Sequence, residues 1–372
     1  MLINFSILGV IFITCFIFEK KNKKYALSCI AKNEPFKTQL FPWLIIFGYI
    51  AFLAAMRTNA NDTGAYIRSF DALITSWQAF WNQVSSAGEG KDWAFDAVNI
   101  LFKMFISDNY HWWFALYAVI ESFAFIYILR RYSVSILDAC FFFFCSTLYY
   151  NYFSMMRQWF AIAILFAASR FIENKKFIKY LLVCLFVAQF HASAYVMIPV
   201  YFIVQGKAWS RKQTTLIGVF ALAMLFLNPL LNAMEKTLAD TTYDYAISAM
   251  NSDSGSSIIR AFIAAVPVVL AFIYRHNIDN PMINICVNMS LLNLLLNILA
   301  AFTSGLFIIR LATYMGIYNV ILYPYLLNVS IKGKDRMIIK SLFYIIYFAF
   351  YVYQMKYQGS FGYGSDILGN FY

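Results

Sequence analysis

The chain reads as long apolar stretches interrupted by short polar ones. Apolar runs of helical length fall near 2–18, 40–56, 110–129, 134–150, 155–172, 177–190, 192–204, 214–232, 258–274, 281–303, 305–327 and 337–355. A bilayer-spanning helix needs about 20 mainly apolar residues, and fewer where the bilayer thins or the helix breaks. The pattern therefore predicts an all-α fold: a polytopic transmembrane helical bundle of about 12 spans (range 11–14). A shorter apolar segment at 95–107 is a candidate re-entrant piece, and the runs at 177–190 and 192–204 meet at His191. The runs are continuous. A membrane β-barrel would instead alternate apolar and polar residues over about ten positions, so that class is excluded. No solenoid-type period and no separate soluble segment interrupt the pattern, and a single multispanning domain over 1–372 is expected.

Composition agrees with this reading. Of 372 residues, 62% are hydrophobic, 20% aromatic and only 13% charged, with a mean hydropathy of +0.64. A soluble domain carries roughly 25% charged residues, so a cytosolic enzyme, a secreted disulfide scaffold and a disordered chain are excluded. The net charge of +11 does not point to nucleic acid, because the basic residues cluster between apolar runs, where they set membrane topology. If the cluster at 20–24 is cytoplasmic and the runs alternate, 20 of the 29 Lys and Arg residues fall in cytoplasmic loops. That bias predicts a multi-pass protein of the cytoplasmic membrane with both termini outside. The cluster follows the first apolar run instead of preceding it, which reads as a retained span and not as a cleaved signal peptide. The six cysteines lie mostly inside apolar runs without CxxC spacing and read as small buried hydrophobes.

Two long loops fall on the outer side. The first, 57–94, carries an amphipathic pattern (Tyr66, Ile67, Phe70, Leu73, Ile74, Trp77) that predicts an interfacial helix leading into Trp81. The second, 233–257, is acidic and polar. Loops of this length in a compact protein are usually functional or mobile.

Ionisable groups at bilayer depth cost at least about 2.5–3.5 kcal/mol each on insertion scales, so they need a reason. Arg57 closes the second run, Arg157 opens another, and Arg310 lies a few residues inside the run that begins at Gly305. On the topology above all three reach the outer ends of their helices, as does His191, with Asp62 in the adjoining loop. One arginine at a helix end commonly snorkels to the headgroups, and one histidine commonly packs. Agreement in depth and side among several of them suggests a grip for an anionic lipid headgroup. The planar guanidinium stays charged and binds phosphate oxygens in pairs. The remaining embedded polar groups have quieter readings. Asn284, Asn288, Asn293 and Asn297 are expected to hydrogen-bond between helices. Glu121 fits a protonated structural carboxylate or a proton relay. Asp138 has Arg131 or Lys175 as expected partners. No HExxH, P-loop, GxSxG or metal-ligand spacing is present.

Four segments carry a family likeness. Residues 56–67 contain Arg57, Asp62, Thr63 and Tyr66 in an R-x(4)-D-T-x-x-Y pattern; residues 151–161 contain Arg157-Gln158 with Ala161; Phe190-His191-Ala192-Ser193-Ala194 forms an F-H-x-S-A step; Arg310 and Tyr314 form R-x(3)-Y. In this order the segments resemble the EpsG family, with two departures: Asn61 where a glycine commonly precedes the aspartate, and the bulky Trp159 after Arg157-Gln158. The resemblance implies a Wzy-like exopolysaccharide or O-antigen polymerase. Such a protein joins undecaprenyl-pyrophosphate-linked oligosaccharide repeat units at the outer face of the cytoplasmic membrane. It implies Arg157 and Arg310 at the pyrophosphate, and Arg57 as a third clamp or as a partner holding Asp62. Asp62 or His191 is then the base, with Tyr66, Gln158 and Tyr314 lining the substrate. No cofactor or metal is expected, since arginines supply the positive charge. Expected partners are the lipid-linked oligosaccharide, the bilayer, and chain-length regulator and flippase proteins, with no nucleic acid. Two other readings stay open: a flippase or exporter of the same lipid-linked oligosaccharide, which should show repeated halves, and a membrane acyltransferase acting on surface polysaccharide.

Overall fold

The computed structural model describes residues 2–87, 92–226, 257–303, 305–357 and 362–371. These form helices throughout, apart from one short hairpin, and divide into two compact units, Met1–Ile198 with Lys332–Tyr372, and Pro199–Ile331.

In the first unit, α1 (Leu2–Ala31) runs 30 residues, straight through the basic stretch 20–24 that reads as a loop by charge. Lysine is a good helix former, and nothing breaks the helix before Asn33, whose left-handed backbone (φ 57°) ends it. α2 (Leu40–Ala55) and α6 (Tyr110–Tyr132) pack antiparallel. The Thr38 N–H donates to the Arg130 carbonyl (2.8 Å) at one end, and His111 Nδ1 lies 2.8 Å from the Ala55 carbonyl at the other. Between α2 and α6 lie α3 (Thr63–Asp71), α4 (Trp77–Ser85) and α5 (Trp93–Phe105). The single interfacial helix expected here is thus two, because Ser76 takes extended backbone and its hydroxyl caps α4 by accepting from the Ala79 N–H (3.0 Å).

α7 (Ile136–Cys145) starts beneath a carboxylate lent by α1: Glu19 accepts from the Ser135 hydroxyl (2.6 Å) and from the N–H groups of Ile136 (2.9 Å) and Leu137 (3.1 Å). A negative charge is favoured at that positive helix end. A 3-10 turn, Leu148–Tyr152, leads into α8 (Met156–Ala167) and the short α9 (Ser169–Glu173). α10 (Phe177–Ala188) follows, then a 3-10 turn, Ala192–Val196, and α11 (Met197–Ile203), in which the boundary between the units falls.

The second unit holds α12 (Arg211–Leu225), α13 (Ile258–Ile273), α14 (Pro281–Phe302), α15 (Gly305–Gly316) and α16 (Asn319–Tyr325). α14 begins under Asn280, with Pro281 where its missing N–H costs nothing. Two of its asparagines reach other segments as expected: Asn284 Oδ1 accepts from the Ala208 N–H (2.7 Å) and Asn288 Nδ2 donates to the Val204 carbonyl (2.8 Å). Asn297 instead turns back along its own helix and donates to the Asn293 carbonyl (2.8 Å). Gly316 passes so close to α14 that a Cβ there would sit 3.0 Å from Asn293 Oδ1. α15 and the helix that follows it bend by 45° at their break, and Pro324 precedes a π turn, Leu326–Ser330.

The last helix, α17 (Asp335–Tyr357), returns to the first unit. Lys340 Nζ lies 2.8 Å from the fully buried carboxylate of Asp138, and the Tyr344 hydroxyl donates to it as well. The partner of Asp138 is therefore Lys340, not Arg131 or Lys175; Arg131 turns back to its own helix and donates to the Tyr127 carbonyl (2.6 Å). The chain ends in a hairpin, β1 (Tyr363–Ser365) and β2 (Gly369–Phe371).

By length and composition, four helices among the described residues suffice to cross a membrane, or five with the bent pair as one span. Six further apolar helices have 10–17 residues. About twelve full spans therefore do not emerge. The apolar runs are as expected, but 3-10 turns and bends divide several of them into pieces shorter than a bilayer. The run at 95–107 is α5, 13 residues long. The polar loop 233–256 lies outside the described residues.

Candidate active site

Three of the family-like segments meet in the first unit, around a residue that none of them contains. Asp92 heads α5 in a left-handed conformation (φ 64°). Its carboxylate, only 8% exposed, takes three hydrogen-bond donors. Arg157 Nη1 lies 3.0 Å from Oδ2, His191 Nδ1 lies 3.3 Å from the same oxygen, and the Ala192 N–H donates to Oδ1 at 3.1 Å.

Each partner arrives from a helix end. Arg157 is the second residue of α8, just after Met155, whose backbone is also left-handed (φ 51°). His191 precedes the 3-10 turn after α10, in extended backbone that interrupts the apolar run there. The heads of α5 and the tail of α10 are further tied by the Ala94 N–H to the Gln189 carbonyl (3.1 Å) and by Trp93 Nε1 to Gln189 Oε1 (2.7 Å). Non-glycine residues held in left-handed backbone cost on the order of 1–3 kcal/mol each and collect at functional sites. Here two of them stand at the starts of the helices that carry the ion pair.

The cluster rests on aromatic rings. Phe95, Phe114, Phe160 and Phe190 belong to one buried cluster, with Tyr66 packed against it. The Arg157 guanidinium lies 5.5 Å from the Phe95 ring centroid, and its charge reaches the Tyr66 phenol. Burial pushes the Tyr66 phenol up, against the opposing pull of Arg157. Burial likewise opposes ionisation of Asp92. The hydrogen bond and charge of His191, the charge of Arg157 and the Ala192 N–H outweigh it and hold the carboxyl below its ordinary value. Even so, the side chains of Arg157 and His191 are 40% and 30% exposed. Arginine carries five N–H donors, and Asp92 takes one of them.

The other expected site residues are placed differently. Arg57 is 1% exposed and points inward. Its Nε donates to Thr63 Oγ1 (3.1 Å), Nη1 to the Ala54 carbonyl and Nη2 to Met156 Sδ (3.8 Å), and its guanidinium lies 3.8 Å from the Phe114 ring centroid. Asp62 is not among these partners; it is exposed at the head of α3 with no side-chain cap bond. In the R-x(4)-D-T pattern, then, the arginine and the threonine form an internal brace. Gln158 is buried beside Arg157 in sequence. Arg310, exposed, and Tyr314, buried, lie one turn apart on α15 in the second unit. The sequence reading passed over Asp92 and Asp96, which stands four residues further along α5 and feels the charge of Arg157. An aspartate directly before an apolar segment signals a helix start, which is the one local hint that Asp92 gave.

A helical membrane protein with an exposed, carboxylate-held arginine and histidine at adjoining helix ends is the class that fold and site define. The EpsG family profile matches residues 40–365, most of the chain, and the protein belongs to the EpsG family. Neither the curated proteins nor the solved structures contain a match to it. Membership places it among polysaccharide polymerase-type membrane proteins.

Proposed function

We propose that this protein is a glycosyltransferase that polymerises undecaprenyl-pyrophosphate-linked oligosaccharide repeat units at the outer face of the cytoplasmic membrane. A hydroxyl of one lipid-linked repeat attacks the anomeric carbon of the chain carried on another, and undecaprenyl pyrophosphate leaves. The observation that carries the reading is Arg157: its guanidinium is oriented by Asp92 at 3.0 Å, yet 40% exposed with donors to spare. Fixed donors aimed at developing negative charge are usually the largest catalytic contribution, and a guanidinium suits two phosphate oxygens at once. The acceptor hydroxyl gives its proton to Asp62 or His191, and Tyr66 and Gln158 flank the arginine. Arg310, with Tyr314 one turn away on α15, is proposed as a second anion-binding group and is tested separately. The bilayer delivers both substrates, and chain-length regulator and flippase proteins are the proposed partners.

The test uses membranes supplied with purified lipid-linked repeats. Arg157→Ala should lower polymer formation about 10²- to 10³-fold, the typical cost of one lost charge-stabilising donor, with protein abundance unchanged; Arg310→Ala should also lower it. Full activity of both variants removes the proposed roles. Translocation of a fluorescent lipid-linked oligosaccharide without polymer growth would assign the protein to transport instead.

A further inference from the structure

Of the two candidate bases, one is held in place and the other is not. Asp62 is exposed, and its carboxylate has no hydrogen-bond partner among the described residues. His191 is fixed through Nδ1 against Asp92 Oδ2, while the ring keeps 30% of its surface open. Asp92 is itself spent as an acceptor: Oδ1 takes the Ala192 N–H, and Oδ2 takes Arg157 and His191. We infer that Asp92 is a positioning residue that holds His191 with Nδ1–H toward its own carboxylate, leaving Nε2 as the base for the acceptor hydroxyl. This deepens, and rests on, the polymerase reading.

The chemistry balances without a further reactant. The acceptor oxygen forms its bond to the anomeric carbon while the bond from that carbon to the pyrophosphate oxygen breaks. The bonding pair departs with undecaprenyl pyrophosphate. The hydroxyl proton moves to His191 Nε2, and the imidazolium so formed faces the Asp92 carboxylate before releasing its proton to water. The same carboxylate orients Arg157, so one aspartate sets the relative placement of the proton acceptor and the leaving-group cation. The charged and titratable groups that face this arrangement are Arg157 from α8, Tyr66 from α3 and Asp96 from α5. Asp96, four residues after Asp92, also feels the charge of Arg157.

Geometry makes Asp92→Asn informative. An asparagine amide cannot serve all three donors: its NH2 faces the Arg157 N–H if placed at the Oδ2 position and the Ala192 N–H if placed at the Oδ1 position. In the first arrangement that NH2 also donates to Nδ1 and moves the ring proton to Nε2, the wrong tautomer for a base; in either one the carboxylate charge that supports the imidazolium is gone. Turnover should fall about 10²- to 10⁴-fold, the usual contribution of a general base, while Asp92→Glu restores part of it. His191→Gln should lower kcat to a similar extent and remove the acid limb of the pH–rate profile. Binding of radiolabelled undecaprenyl pyrophosphate should survive in His191→Gln and weaken in Arg157→Ala. Wild-type turnover and an unchanged acid limb in His191→Gln, with Arg157→Ala inactive, would overturn the role of the dyad and leave the polymerase reading standing. The dyad is likewise overturned if Asp92→Asn, at normal abundance, keeps the wild-type profile. Undiminished polymerisation in Arg157→Ala and His191→Gln together would overturn both.

Discussion

Arg57 and Arg157 have equal standing in the sequence, each an arginine at the end of an apolar run, and the fold gives them opposite jobs. Arg57 spends its donors on Thr63, Ala54 and Met156 beneath Phe114. Truncating it leaves a cavity and buried acceptors without their donor, and one unsatisfied buried polar group alone typically costs about 1–3 kcal/mol. Arg57→Ala should therefore lower the thermal stability and abundance of the detergent-solubilised protein further than Arg157→Ala, whose side chain is 40% exposed; size-exclusion profiles after heating distinguish the two. A normal melting temperature for Arg57→Ala would contradict its role as a brace. Asn61 gains a physical reason at the same scale. Its φ of 43° lies in the left-handed region, where glycine is the usual residue and asparagine is among the few tolerated substitutes. A departure from the family pattern thus preserves the backbone shape that the pattern encodes. Trp159 does so for packing: it is fully buried, its ring 5.1 Å from Phe125.

At the scale of elements, the terminal hairpin is the piece with no forewarning. β1 pairs with the loop after α2: the Thr58 N–H donates to the Gly364 carbonyl (2.7 Å), and the Gly364 N–H donates to the Asn59 carbonyl (2.8 Å). Tyr363 donates to the Leu53 carbonyl (2.9 Å), and Asp366 lies 3.3 Å from the Tyr110 hydroxyl and 3.7 Å from His111 Nε2. Residues more than 300 positions apart in the chain thereby fix the turn that leads to Arg57, Asp62 and α3. Truncation after Lys356 should leave the helices intact by circular dichroism, lower the melting temperature, and make the 58–62 segment more open to proteolysis. Unchanged cleavage there would show that the loop holds its shape alone. No periodicity announces such a contact. Strand residues 363–365 and 369–371 are few and glycine-containing, and their partner is loop backbone.

At the scale of the whole molecule, Asp92 joins the starts of α5 and α8 to the end of α10, so its ionisation is also a matter of fold stability. Its carboxyl is held below the ordinary value of 3.8. A lowered folded-state value means that the stabilisation is fully present above about pH 5, where the carboxyl is ionised in either state. It fades as the pH falls through the folded value, where both states are protonated. The melting-temperature gap between wild type and Asp92→Asn should accordingly be present near pH 5 and shrink as the pH falls below about 4, through the folded value. A gap that does not shrink on acidification would mean that packing, not charge, is what the substitution removed.

The sequence by itself determined the solvent and the class. Continuous apolar runs with basic residues between them admit a helical membrane protein and little else, and the four family-like segments were legible because each is local. Apart from the one at His191, the helix breaks were not legible, since a 3-10 turn or a capping serine costs too little in composition to register in an apolar run. The site was half legible: Arg157 and His191 stood out as polar groups at the ends of apolar runs and Tyr66 through the family-like pattern, but Asp92 lies in a polar loop where an aspartate is unremarked. Only the tertiary structure decided that Arg57 faces inward, that Lys340 neutralises Asp138, and that one aspartate binds an arginine 65 residues and a histidine 99 residues away. Charge pairing depends on distance in space, and in this chain the distances that matter are closed by the packing of helices far apart in sequence.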